Sequence, residues 1–299
     1  PTVLDTLPLT TLDFSNPSST TDSAEVLQDL AADVPPLPRS WQNGEAAPSI
    51  QLLGAGIGLF GLRTLPMVDR TEERDLLWHA LARVRQRQQP HFHLLRGVAG
   101  VGKSRVAEWI AQRADEVGSA FVFKVRCGRA AGPADEIVRS VARFFRVDGL
   151  YGTELAQRMG KHLDHLGITD EHGRQTLTEL LEPPRAEQTG GVGQDPEARH
   201  QAVLWLLSRL ARIRPALIWF DDLQWGLDVL RFISKALERG AGRPILMIGT
   251  LREEALVERP AEAEELRRVL DHERTEESVV EGLHGADHRA LIGRMLGLE

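Results

Sequence analysis

Residues Gly97-Val98-Ala99-Gly100-Val101-Gly102-Lys103-Ser104 satisfy the spacing G-x-x-x-x-G-K-[ST] in full. Glycines in such a loop let successive main-chain N–H groups turn toward one point, and a helix beginning at the loop's end adds a field that favours an anion there. The residue types then divide the work. Lys103 neutralises the β- and γ-phosphates of a nucleotide, and the Ser104 hydroxyl supplies an oxygen to Mg²⁺. The nucleotide-binding stretch is therefore Gly97, Val98, Ala99, Gly100, Val101, Gly102, Lys103, Ser104 and Arg105. Lysine is scarce here: Lys103, Lys124, Lys161 and Lys235 stand among 36 Lys and Arg residues, so one placed directly behind a glycine loop carries weight.

A phosphate loop needs a carboxylate to place its metal, and the end of a buried strand is where to seek it. "ALIWFDD" (216–222) supplies two. Asp221 is the candidate metal carboxylate and Asp222 the candidate group that orients or deprotonates an attacking water. An aspartate in that second place is one methylene shorter than glutamate, which predicts slow turnover. "PILMIGTLREE" (244–254) brings a third element: Thr250 at a strand end and Arg252 just beyond, polar groups that can sense a γ-phosphate. Catalytic candidates are thus Lys103, Asp222 and Arg252. Arg267 and Arg268 read as a solvated helix face.

Other spacings carry less. Gly56, Gly58 and Gly61 match G-x-G-x-x-G, but Pro66 follows where a dinucleotide-binding turn needs a helix, so an apolar linker packing on the next domain is expected. His91 and His93 alternate along a strand, and His162 and His165 lie three apart on a helix; neither pair has a third ligand at a recognisable spacing, so packing or surface roles are expected. Cys127 has no C-x-x-C partner and receives no role.

These residues must be positioned by alternating elements. "HFHLLR" (91–96), "AFVFKV" (120–125), "ALIWF" (216–220) and "PILMIGT" (244–250) read as strands. Helices are expected before the first strand, directly after the phosphate loop, around 134–146, 153–166 and 226–239, and over the run containing Val203, Leu206, Leu207, Leu210 and Ile213. Asp69 and Glu72 form a capping-box pattern at the first helix, and 183–196 reads as an inserted loop. The alternation predicts an α/β fold with three layers, α/β/α, around a mostly parallel sheet. Residues 1–66 have linker composition, 67–272 the composition of one α/β domain, and 273–299 the start of a helical lid.

The 299 residues carry a net charge of −7, which argues against broad attraction to nucleic acid or anionic membrane. One cysteine forms no internal disulfide, and the chain has neither a signal peptide nor a membrane-length apolar run; a cytoplasmic location is expected. The chain lacks an initiating methionine and ends inside a helical pattern, as a piece of a longer protein would.

As a set, these motifs resemble the STAND and related AAA+ ATPases of bacteria, origin-recognition-like ATPase modules found in signalling proteins. "MVDRTEERDLLWHAL" (67–81) is similar to their GRExEL motif, "FDDLQWGLD" (220–228) to DDLHWAD, and "GTLREEA" (249–255) to TYRPEE. The resemblance covers about residues 67–299 and implies ATP and Mg²⁺ as cofactors, ATP or ADP as ligand, Arg70 on the adenine side, and protein partners or self-association. Asp69 stands where the family usually has glycine. "VPPLPRSW" (34–41) and "LLGAGIGLFGLRTLPMVDR" (52–70) resemble the linker that joins a bacterial serine/threonine kinase to such a module, although no H-R-D or D-F-G occurs here. The implied function is a nucleotide-dependent signalling switch with slow hydrolysis. The alternatives are a non-hydrolysing scaffold or DNA-loading module, or a small-molecule phosphotransferase.

Overall fold

A computed structural model describes residues 34–42, 67–128, 135–182, 195–238 and 242–296. Five parallel strands form one sheet: β1 (His91–Arg96), β2 (Phe121–Arg126), β3 (Ala216–Asp221), β4 (Ile245–Leu251) and β5 (Thr275–Val279). Their spatial order is β2-β3-β4-β1-β5. The described helices are α1 (Thr71–Arg87), α2 (Lys103–Glu116), α3 (Asp135–Phe144), α4 (Gly152–His165), α5 (Glu171–Leu181), α6 (Pro196–Leu210), α7 (Leu227–Glu238), α8 (Pro260–Leu270) and α9 (Gly285–Leu296). The expected α/β layering with a parallel sheet is what the chain adopts.

Side chains alternate across a strand, so sequence parity decides which face each one covers. Phe92 and Leu94 of β1, Ile218 and Phe220 of β3, and Ile245 and Met247 of β4 join the larger core with α4, α6 and α7. The opposite parity, Leu95, Leu217, Trp219, Leu246 and Ile248, packs against α1 and α2. Strands β3 and β4 are buried at every position, which explains their unbroken apolar sequences. Asp221 and Thr250 continue the parity that faces α1 and α2, and so share a face with the helix that follows the glycine loop.

Four strands fall within one residue of their expected limits. The fifth corrects the expectation for 273–299: residues 275–279 are not lid but an edge strand, paired in parallel with β1 from Phe92↔Thr275 to Arg96↔Val279. "TEESV" is only partly buried at the sheet's margin, so charged side chains sit where a central strand would have apolar ones. Helix α5 was also not foreseen; Asp170 caps it by accepting from the Gly173 N–H at 3.2 Å.

The capping box expected from Asp69 and Glu72 does not form. Asp69 and Arg70 both occupy the left-handed region, φ 57° and 67°, and Arg70 is the N-cap without a side-chain cap bond. Glu73, not Glu72, is the acidic partner, accepting from the Arg70 guanidinium at 2.9 Å. Two consecutive non-glycine residues in this region cost roughly 1–2 kcal/mol each.

Part of the presumed tail is docked. Trp41 donates to Asp75 at 2.6 Å, Trp78 donates to the Pro38 carbonyl at 2.9 Å, and Arg113 donates to the Trp41 carbonyl at 3.0 Å. Leu37 and Trp41 pack against the α1–α2 core, and Trp41 meets Trp109 edge-on at 5.3 Å. Proline, leucine and tryptophan in 34–42 thus serve as a strap over two helices. The glycine run at 56–61, and nearly all of the loop expected at 183–196, lie outside the described residues.

Gly249 has no room for a side chain: a Cβ there would stand 2.3 Å from Leu223 Cδ1 and 2.9 Å from Phe92 Cζ. Gly249→Ala should therefore destabilise the fold by about 1–3 kcal/mol. The measurement is thermal denaturation of the two proteins, with a fall in Tm of several degrees expected for a domain of this size.

Candidate nucleotide site

Strand β1 ends at Arg96, and the chain leaves it through Gly97 at φ 145°, Gly100 at φ 84° and Gly102 at φ 102° before α2 begins at Lys103. The last two need glycine's freedom to turn the loop back over the start of the helix. Gly97 is restricted additionally by contact, since a Cβ would meet the Val280 carbonyl oxygen at 2.5 Å. Gly102 is the left-handed N-cap and makes no side-chain cap bond, so the helix's first N–H groups face the loop rather than a capping oxygen.

Lys103 lies back along this loop, its Nζ donating to the Gly97 and Val98 carbonyls at 2.7 Å each. Burial pulls its ammonium below the usual lysine range; Glu254, Asp222 and Glu253 oppose that pull and Arg252 adds to it. On the loop's outer side, the Ala99 N–H donates to Glu254 at 3.1 Å. A carboxylate thus occupies one of the amides that the sequence assigned to a phosphate. Arg105 pairs with Glu108 at 2.8 Å.

The structure brings the two metal-ligand candidates, Ser104 and Asp221, together. Ser104 Oγ donates to Asp221 Oδ1 at 2.7 Å, and Thr250 Oγ1 donates to the same oxygen at 2.7 Å. Residues β1 His91–Arg96 and β3 Ala216–Phe220 both pair with β4, which lies between them. Thr250 therefore sits beside Asp221, while α2 brings Ser104 onto the same face. A buried carboxylate and a serine hydroxyl at a helix start form a hard oxygen pair, the donor chemistry suited to Mg²⁺.

Asp222 follows in the left-handed region at φ 60°. Its N–H donates to Thr250 Oγ1 at 3.0 Å, so the threonine hydroxyl is engaged by both aspartates. The Asp222 carboxylate receives Arg252 Nε at 3.1 Å and Gln224 Nε2 at 3.0 Å. Gln224 Oε1 in turn accepts the Arg252 N–H at 3.2 Å.

Gln224 and Glu254 escaped sequence reasoning. Gln224 is 1% exposed within a short 3-10 turn, and a polar residue two positions beyond the acidic pair was the available signal. Glu254 had none, being one of several acidic residues after β4.

Arg70 stands apart from the chemistry and close to the loop. Its guanidinium donates to the Val101 carbonyl at 3.0 Å and to the Glu281 carbonyl, tying the start of α1, the glycine loop and the segment after β5 together. Arg267 and Arg268 lie on the exposed face of α8, paired with Glu264 and Glu265. Cys127 is buried behind Asp221, and burial pushes its thiol up to about 12, with Asp221, Glu136 and Asp222 adding to the shift.

A family model described as AAA ATPase domain matches residues 66–248, more than half of the chain. Comparison with curated proteins yields no match.

Thr250→Val keeps the side chain's shape and removes the hydroxyl that serves both aspartates, leaving a buried carboxylate short of a donor. A loss of about 1–3 kcal/mol in urea denaturation is expected. Cys127 should resist iodoacetamide at neutral pH in the folded protein and react once urea unfolds it, as mass spectrometry would read; rapid labelling of the native chain would contradict its protonated, buried state.

Proposed function

The chain belongs to the AAA ATPase domain family, and from that premise we propose that it binds ATP with Mg²⁺, hydrolyses it slowly and uses the γ-phosphate as a signalling switch. The observation that carries this reading is the Ser104–Asp221 contact of 2.7 Å at the foot of the glycine loop. It supports a site where one hydroxyl and one carboxylate share a cation beside a phosphate cradle.

Entry of a triphosphate requires Glu254 to yield the Ala99 amide, since two anions would compete for one donor. Lys103 exchanges its bonds to the Gly97 and Val98 carbonyls for phosphate oxygens, the stronger acceptors. Ser104 and Asp221 would hold Mg²⁺, which when bound supplies charge neutralisation between the β- and γ-phosphates. Thr250 fixes the orientation of the Asp221 carboxylate instead of reaching the phosphate itself. Asp222 is the group that accepts a proton from the attacking water.

Arg252 and Gln224 hold the Asp222 carboxylate. Those contacts occupy its acceptor oxygens, which supports slow turnover, and they give the switch its parts: a γ-phosphate that attracts Arg252 also frees Asp222. The same engagement of Asp222 favours, as a second reading, a nucleotide-stabilised scaffold without hydrolysis. Linkage to a kinase and membership of the STAND group remain part of this proposal and rest on the sequence resemblance.

Isothermal titration with ATP and Mg²⁺ should show one site, weakened about 10–100-fold in Lys103→Ala through loss of a charge-assisted contact. Asp222→Asn should keep the affinity and lose about 10²–10⁴ in phosphate release. Absence of ATP binding by the parent chain overturns the proposal. Binding without phosphate release, accompanied by a nucleotide-dependent change of mass in light scattering, selects the scaffold reading.

A further inference from the structure

At the opposite end of β1 from the glycine loop, three ligand-type side chains converge: His91, His93 and Glu276, whose ligand atoms all lie within 4.8 Å of one another. The histidines are two apart on β1 and so share the face toward α1. Glu276 belongs to β5, opposite His93 in the pairing register. The sequence offered the histidine pair without a third ligand because the edge strand that supplies it was not legible.

Several observations separate this cluster from ordinary packing. His93 is 1% exposed, and its Nε2 lies 2.9 Å from Ser278 Oγ. When Nε2–H donates to that hydroxyl, Nδ1 is left as a lone pair directed at the cluster. Nδ1 has no hydrogen-bond partner among the described residues, and neither has the buried Nε2 of His91. Both face the same carboxylate oxygen, Glu276 Oε2, at 3.8 and 3.6 Å, beyond hydrogen-bond reach. A tetrahedral ion with bonds of about 2.0–2.1 Å sets its ligand atoms about 3.3 Å apart. Each imidazole nitrogen already stands within about half an ångström of that separation from the carboxylate oxygen.

We propose that His91, His93 and Glu276 form a binding site for a divalent transition metal ion, Zn²⁺ being the best fit to two imidazoles and one carboxylate. The fourth position opens on a cleft lined by Arg87, Gln89, Glu273 and Arg274. Arg83 presently holds Glu276 through both carboxylate oxygens. Its side chain is 36% exposed, so it can yield Oε2 to the ion and keep Oε1. The arginines at the rim disfavour weakly held ions, and imidazole prefers d-block metals over Mg²⁺, so the site discriminates against the ion proposed for Ser104 and Asp221. Metal here would cross-link β5 to β1. Just beyond β5, Val280 abuts Gly97 and Glu281 accepts from Arg70, so the ion also steadies the segment that braces the glycine loop.

The test uses the whole chain, stripped with EDTA and held in excess Mg²⁺, titrated with CoCl₂ and then ZnCl₂. One equivalent of Co²⁺ should develop a visible d–d spectrum that Zn²⁺ abolishes. His91→Ala, at the partly exposed position, and Glu276→Gln should each weaken binding more than tenfold, Ser278→Ala roughly tenfold through loss of the orienting bond. His162→Ala with His165→Ala should leave binding unchanged. Circular dichroism in EDTA confirms that each variant is folded, and zinc-edge X-ray absorption of the parent chain should show two imidazole nitrogens without mutation. No stoichiometric binding, a coordination shell lacking histidine, or parent-like affinity in Glu276→Gln overturns the proposal; none of these outcomes bears on ATP binding.

Discussion

A buried carboxylate held by two hydroxyls from different parts of the chain is the contact on which the candidate nucleotide site depends. Asp221 is largely removed from water, and a charge in that position is costly unless donors surround it. Ser104 comes from the helix after the glycine loop and Thr250 from the strand inserted between β1 and β3, and both direct their protons to one oxygen. That geometry requires the strand order β3-β4-β1 and the shared parity of Asp221 and Thr250. A slip of one residue in either strand would turn one of the groups into the opposite core.

What was legible in the sequence follows from this division between local and non-local causes. The glycine loop could be read because its spacing alone builds the cradle, and β3 and β4 because burial on both faces demands continuous apolar residues. Asp221, Ser104 and Thr250 could be named individually, since each sits at the end of a readable element. The bond from Thr250 to Asp221 could not, because its partner lies 29 residues earlier in the chain. Arg70 illustrates the same limit: its partners are Glu73, Val101 and Glu281, and the last of these lies beyond a strand that an edge position had disguised.

The two sites make different demands on one strand. At its C-terminal end β1 feeds the glycine loop, where in the proposed nucleotide complex Lys103 and Glu254 are the groups that would move. At its N-terminal end the histidines lie in a rigid, parity-fixed row against an edge strand. Strand β5 connects the ends, since it runs parallel to β1 from Glu276 beside the histidines and leads into Val280 against Gly97.

The family match begins at residue 66, yet the protein's apolar surface does not respect that limit. Leu37 and Trp41 cover the flank of α1 and α2, and Pro38 and Trp41 supply the carbonyls on which Trp78 and Arg113 depend. A version trimmed to the matched segment would open a tryptophan-lined seam to water and leave two buried donors seeking acceptors, the surface from which aggregation starts. The packed boundary of the fold therefore lies upstream of the boundary that similarity draws.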